Sequence, residues 1–155
     1  MSKGSKILLA SSTLWILAEG MLGPLFAVFA EQVGGNILDI TYAWATYLAI
    51  TGVGIVIVGK ISDTIGRIPL MISGYAVTTV FTFGYLFVSS PFDLFIIQAG
   101  LGLGLALAQP TWMALYDKWS GSGNRDGFIW GLADGLGYLA AAAGILVSGV
   151  IVSTY

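Results

Sequence analysis

Five apolar runs, residues 7–30, 40–58, 69–88, 94–116 and 128–152, contain no Lys or Arg and take up most of this 155-residue chain. A helix rises 1.5 Å per residue, so about 20 residues cross a hydrocarbon core of roughly 30 Å. Inside lipid every backbone polar group must be paired within the protein, which leaves only helices and closed barrels as spanning structures. Barrel strands read as segments of about ten residues alternating in polarity; these runs are apolar on all sides. The expectation is therefore an all-α integral membrane protein with five transmembrane helices embedded in a lipid bilayer. Only 14 residues are charged, 9% of the chain, against about 25% in soluble domains. That excludes a water-soluble monomer and a disordered chain. The first run is too long for a signal-peptide core and lacks a small-residue cleavage site, so it counts as helix 1.

The missing residue types narrow the chemistry. There is no Cys and no His, which removes disulfides, thiolate catalysis, the common zinc ligands and the usual proton shuttle. Proton chemistry must use carboxylates, and no metal, cofactor or enzymatic activity is expected. A net charge of −2 with scattered basic residues gives no nucleic-acid groove.

Five spans alternate sides, so the N-terminus, residues 59–68 and residues 117–127 share one face. All six basic residues lie there: Lys3, Lys6, Lys60, Arg67, Lys118 and Arg125. Short loops rich in Lys and Arg stay in the cytoplasm. The reading is a multi-pass protein of the plasma (inner) membrane, N-terminus cytoplasmic and C-terminus on the outer side. Trp119 and Trp130 at one boundary, and Tyr42 and Trp44 at the other, fit interfacial belts or interhelical packing.

Sliding the sequence by 86 residues places Pro24 on Pro110, Phe26 on Trp112, Glu31 on Asp117 and Trp44 on Trp130. Helices 1 and 2 thus map onto helices 4 and 5 in opposite orientation, the pattern of inverted-repeat transporters. The counterpart of helix 3 would begin at the end of the chain, so a sixth helix is expected to be missing.

Between helices 2 and 3 runs Gly59-Lys60-Ile61-Ser62-Asp63-Thr64-Ile65-Gly66-Arg67-Ile68. Gly59, Asp63, Gly66 and Arg67 match, in type and spacing, a cytoplasmic signature loop, and the chain resembles the major facilitator superfamily on that ground. Thr64 and Ile68 stand where the usual pattern is basic. Physically, Gly59 lets another helix approach closely, Gly66 permits a turn with φ > 0, and Asp63 can meet Arg67 four residues on. A positive-inside loop with a turn glycine is the plainer alternative.

Gln98-x-x-x-Gly102-x-Gly104-x-Ala106 resembles the family's helix 4 motif with its opening arginine replaced, and Gly144-Ile145-Leu146-Val147-Ser148-Gly149 distantly resembles its antiporter motif. The resemblance implies an incomplete six-helix half built from inverted three-helix repeats. It also implies a small-molecule substrate, and as partners either a sixth helix and a C-terminal half or a second chain. The runs Gly127, Gly131, Gly135 and Ala140, Gly144, Ser148 fit close helix packing as well as any transport role.

Two acids fall within spans, Glu19 and Asp134. A charged side chain at a helix centre costs on the order of 3 kcal/mol, so such residues are kept for a pathway or a partner. Glu19 is at the midplane of helix 1, on a face with Trp15, Leu22, Gly23 and Phe26 and near the kinking Pro24. It is the first candidate for a proton or cation site, a buried neutral acid being the alternative. Asp134 sits about 9 Å below the cytoplasmic boundary, where pairing with Lys118 and proton relay are equally open. Gln98, Gly102, Leu105 and Gln109 form a stripe on helix 4, either a cavity wall or interhelical glue. With no base inside a span, and with Trp15, Phe26, Trp44 and Tyr47 offering π-faces, neutral or cationic amphipathic solutes are favoured. The leading function is proton-coupled secondary transport, possible in the direction of efflux; a stand-alone assembly or regulatory partner without transport is the other class.

The orientation is directly testable, because the natural chain has no cysteine. In intact cells an impermeant maleimide should label Gly35→Cys, and should reach Ser2→Cys and Ser122→Cys only after the membrane is opened. The reverse pattern would overturn the assignment.

Overall fold

The computed structural model describes residues 2–121 and 126–154. Five long helices account for nearly all of them: α1 Lys3–Gln32, α2 Ile37–Ile65, α3 Arg67–Gly84, α4 Pro91–Ser120 and α5 Asp126–Thr154, with a short 3₁₀ turn Tyr85–Phe87 after α3. All five are long and apolar enough to cross a membrane. No strand occurs among the described residues. Arg125, one of the six bases used to assign sidedness, and position 122 lie outside the described residues.

The helix ends follow local chemistry. After α1, Gly34 takes φ +77°, and the Gly35 N–H donates to the Ala30 carbonyl at 2.8 Å, closing the last turn. Asn36 caps α2: its side-chain oxygen accepts from the N–H groups of Leu38 and Asp39, while the Asp39 carboxylate accepts from the Asn36 N–H. This reciprocal pair satisfies donors the first turn would otherwise leave open. Ser90 and Asp93 repeat the device at the start of α4, just ahead of Pro91 at the first helical position. Both internal prolines, Pro24 and Pro110, stay inside their helices. Next to Pro110 the Thr111 hydroxyl donates to the carbonyls of Leu107 and Ala108 at 2.9 and 2.8 Å, which satisfies its own buried polar group within the helix.

Four of the helices overrun at both ends the apolar runs that announce them, while α3 starts two residues early but gives way at Gly84 to the 3₁₀ turn, short of residue 88. The largest difference is at α2, expected to stop near residue 58: it continues to Ile65, so Gly59, Lys60 and Asp63 form its last two turns and Gly66 alone separates it from α3. The apolar run marks where lipid ends, whereas the backbone continues as helix until a residue breaks it.

Internal contacts divide the chain into two units, Phe29–Ala114 and Met1–Val28 with Leu115–Tyr155. In the first, α4 lies between α2 and α3. Toward α2, a Cβ on Gly102 would stand 2.7 Å from the Tyr47 carbonyl oxygen, and the Thr51 hydroxyl donates to the Gly102 carbonyl at 3.3 Å. Toward α3, Gly74 faces the Ala108 N–H at 2.6 Å and the Gly104 carbonyl at 2.7 Å, again measured from an added Cβ. Further along, Gly100 takes the Phe81 ring and Gly84 the end of Ile97.

In the second unit α1 and α5 run side by side and parallel. A Cβ added to Gly20 would stand 2.6 Å from the Ala141 carbonyl oxygen, Gly144 lies against Leu17 and Met21, and Gly137 against Ile16. Tyr116, fully buried, ties the end of α4 to the start of α5 by donating its hydroxyl to the Ile129 carbonyl at 3.1 Å. Its ring meets Trp130 edge-on, with centroids 5.4 Å apart. Ala140, Gly144 and Ser148 are therefore a packing stripe, all buried. Gly127, Gly131 and Gly135 instead face open space.

Lipid tails supply no hydrophobic drive between helices, so close backbone approach through small residues must hold the bundle. Gly74→Val forces a side chain into backbone and should cost about 1–3 kcal/mol. Gly52→Val, on an open face, should stay within about 0.5 kcal/mol. Unfolding in mixed detergent micelles checks both.

Candidate functional site

Two places carry the candidate residues, the α2–α3 turn and the polar positions within the spans. At the turn, Gly66 has φ +103° and ψ 139°, a combination open almost solely to glycine. Its N–H donates to the Ser62 carbonyl at 3.1 Å, closing α2, while α3 starts at the next residue. That reversal brings Arg67 back over the end of α2, where it meets the Asp63 carboxylate at 2.9 Å. The other guanidinium nitrogen donates to the Ala114 carbonyl of α4 at 3.4 Å. Arg67 is half-buried and Asp63 exposed, so the pair is worth less than about 1 kcal/mol; its effect is to aim Arg67 at α4. Gly59 does not make the close helix contact expected of it. It is exposed, and an added Cβ would meet nothing within 4 Å.

The stripe predicted on α4 divides. Gln98 is 2% exposed and donates its amide to the Tyr85 hydroxyl at 3.2 Å; Tyr85 in turn stacks on Phe29 at 5.6 Å. Here Gln98 joins the 3₁₀ turn to α4, as interhelical glue. Gln109, at the other end, is exposed. The two do not share one open wall, because Gln98, Leu101, Gly102 and Ala106 all turn into the core of their unit. Tyr85 and Tyr116 were not singled out by the sequence, since an aromatic in an apolar run carries no sign that its hydroxyl has a buried partner.

Within the unit that contains α1 and α5, Glu19 and Gly23 are exposed, Trp15 and Leu22 half-buried, and Phe26 buried at 7% exposure. Phe26 is thus a core residue rather than part of the open face shared by Glu19 and Gly23. Asp134 is exposed on α5. The contacts Ile16–Gly137 and Gly20–Ala141 fix the register, setting Asp134 level with Ser12 and Thr13. At 1.5 Å per residue that is about 10 Å from Glu19 along the axis, toward the N-terminal end. At 3.6 residues per turn, both carboxylates fall on the same side of the α1–α5 pair. The opposite side holds a groove of about 500 Å³ lined by Lys6, Leu9, Ala10, Thr13, Leu14, Leu17 and Leu136. Among the described residues no group of His, Cys, Asp or Glu could hold a metal ion.

The displacement of 86 residues seen in the sequence also holds in three dimensions. It carries the Thr51–Gly102 contact of α2 and α4 onto the Gly137–Ile16 contact of α5 and α1, and brings Gly54–Ala106 within one residue of Ala141–Gly20. Each unit thus holds a parallel helix pair with equivalent internal contacts, in a polytopic all-helical membrane protein whose sequence carries the 86-residue repeat. The family model of the Major Facilitator Superfamily matches residues 8–155, and the chain belongs to that superfamily, a group of membrane transporters rather than enzymes. No curated protein and no solved structure matches the chain.

At the turn the backbone should matter more than the ion pair. Gly66→Ala is expected to cost about 1–3 kcal/mol, and Asp63→Asn less than about 1 kcal/mol. Denaturation midpoints of the two variants in one detergent test the order.

Proposed function

We propose that this chain is the N-terminal part of a secondary active transporter. In this reading it moves neutral or cationic amphipathic small molecules, in the direction of efflux, coupled to protons through Glu19. The observation that carries the reading is the position of Glu19: a carboxyl in the middle of a spanning helix, on an open face of its unit and beside the side-chain-free surface of Gly23. An acid held only for packing would be turned into the core, as Gln98 is.

Asp134 extends the reading. It is on the same side of α1–α5 and about 10 Å closer to the N-terminal end, so protons can be handed between two depths. With the N-terminus cytoplasmic, Asp134 lies toward the cytoplasm and Glu19 at the midplane. Protonation of Glu19 removes a charge whose presence in lipid is costly and so favours a conformational change; an entering cation competes for the ionised form. The absence of Lys and Arg from the apolar runs supports neutral or cationic cargo. Rocking one half against another needs helices beyond these five; a sixth helix and a C-terminal half, or a second chain, would complete the carrier.

Glu19→Gln keeps size and hydrogen bonding but fixes the neutral state. In the complete transporter, reconstituted into liposomes, it should abolish proton-driven accumulation of a lipophilic cation while leaving exchange down a gradient. Asp134→Asn should slow the rate and leave the driving force intact. Uphill transport by Glu19→Gln with an undiminished pH dependence would refute the assignment.

A further inference from the structure

Ser148, on the packing stripe of α5, is 0% exposed, and its hydroxyl has no hydrogen-bond partner among the described residues. A hydroxyl buried at lipid depth is costly unless it is paired. Its neighbour on the stripe locates it. A Cβ added to Gly144 would stand 3.0 Å from the Met21 nitrogen and 3.2 Å from the Gly20 carbonyl carbon. Because α1 and α5 run parallel, one turn further along both helices, about 5.4 Å, brings Ser148 level with Pro24. Pro24 is inside α1 and has no N–H, so the Gly20 carbonyl four residues back loses its helical donor. Residues 20–25 read Gly-Met-Leu-Gly-Pro-Leu, with no polar side chain to supply another.

The other helix pair gives the contrast. The 86-residue displacement carries Ser148 onto Ser62 and Pro24 onto Pro110. Ser62 is buried too, but its hydroxyl donates to the Gly59 carbonyl of its own helix at 3.1 Å. Beside Pro110 stands Thr111, where α1 has Leu25. Only α1 and α5 combine a serine unbonded to its own helix with a proline turn that lacks a hydroxyl.

We propose that Ser148 and the Gly20 carbonyl hold one buried water molecule in the proline turn of α1. The Ser148 hydroxyl donates to the water, which donates to the Gly20 carbonyl and to the second lone pair of the Met21 carbonyl. That makes three hydrogen bonds, about the number a buried water forms. Ordered water is one of the means by which spanning helices satisfy carbonyls that proline frees. A few neutral oxygens suit a water better than a cation, which is held by more oxygens, carboxylates among them. The water makes this turn the place where α1 bends without stranding a carbonyl, one residue beyond Glu19. The inference rests on packing and hydrogen bonding, independent of proton coupling at Glu19.

X-ray radiolysis tests the water in the full-length protein reconstituted in bilayers, since radicals formed from a bound water oxidise the side chains beside it. Met21 is the reporter and Met113, 45% exposed on α4, the reference. Ser148→Ala should lower Met21 oxidation relative to Met113 several-fold. A double-mutant cycle tests the partner. Pro24→Ala returns an N–H to the Gly20 carbonyl. Ser148→Ala should therefore lower the denaturation midpoint when Pro24 is present, and leave it unchanged or raise it beside Pro24→Ala. Undiminished Met21 oxidation in Ser148→Ala would overturn the proposal even if the cycle shows coupling, because the hydroxyl would then meet the carbonyl directly. An equal midpoint shift in both backgrounds would overturn the pairing with Gly20. Neither readout involves transport, so a failed Glu19→Gln assay leaves the water site standing.

Discussion

Everything in this protein depends on helices approaching to backbone contact in a solvent that gives them no hydrophobic reason to do so. Where water drives association, large side chains can fill a core. In lipid, tails are as apolar as Leu, and dispersion at short range and occasional hydrogen bonds must suffice. The chain meets this with Gly74, Gly102 and Gly104 around α4, and with Gly20 and Gly144 between α1 and α5. At each, the partner is backbone or a small residue, so the contact has little freedom to slide. The positions of Glu19 and Asp134 follow from it, because the register of α1 on α5 sets their depth and side.

Polar groups are used sparingly and in two different ways. Several inside the units are hydrogen-bonded and structural, Gln98 with Tyr85, Tyr116 with the Ile129 carbonyl and Thr51 with the Gly102 carbonyl, whereas the buried Ser148 hydroxyl has no partner among the described residues. Unpaired, such a group costs free energy in a medium without water; paired, it fixes one helix against the next. Glu19 and Asp134 are instead exposed within their unit. Burial therefore separates Gln98, which holds the scaffold, from these two acids.

The Asp63–Arg67 turn shows how a weak interaction can have a geometric effect. An exposed ion pair contributes little stability, yet Gly66 leaves only one residue between two long helices and the ion pair aims Arg67 at the Ala114 carbonyl of α4. Gly59 on the same stretch is left facing open space.

The number of spans, the helical class and the turn at Gly66 were legible in the sequence, because lipid thickness and local backbone geometry act on contiguous residues. The 86-residue repeat was legible for the same reason: equivalent prolines and aromatics keep their spacing along the chain. The extent of α2 was not, since hydropathy marks the edge of lipid and α2 continues until Gly66 breaks it. Nor was the separation of Gln98 from Gln109, or of Phe26 from Glu19. Those residues share a stripe on an isolated helix, and only the neighbours packed against that helix decide which part of the stripe is covered. Sequence determined which residues lie at which depth in the membrane; tertiary packing decided which way they face, because facing is set by contacts among residues far apart in the chain.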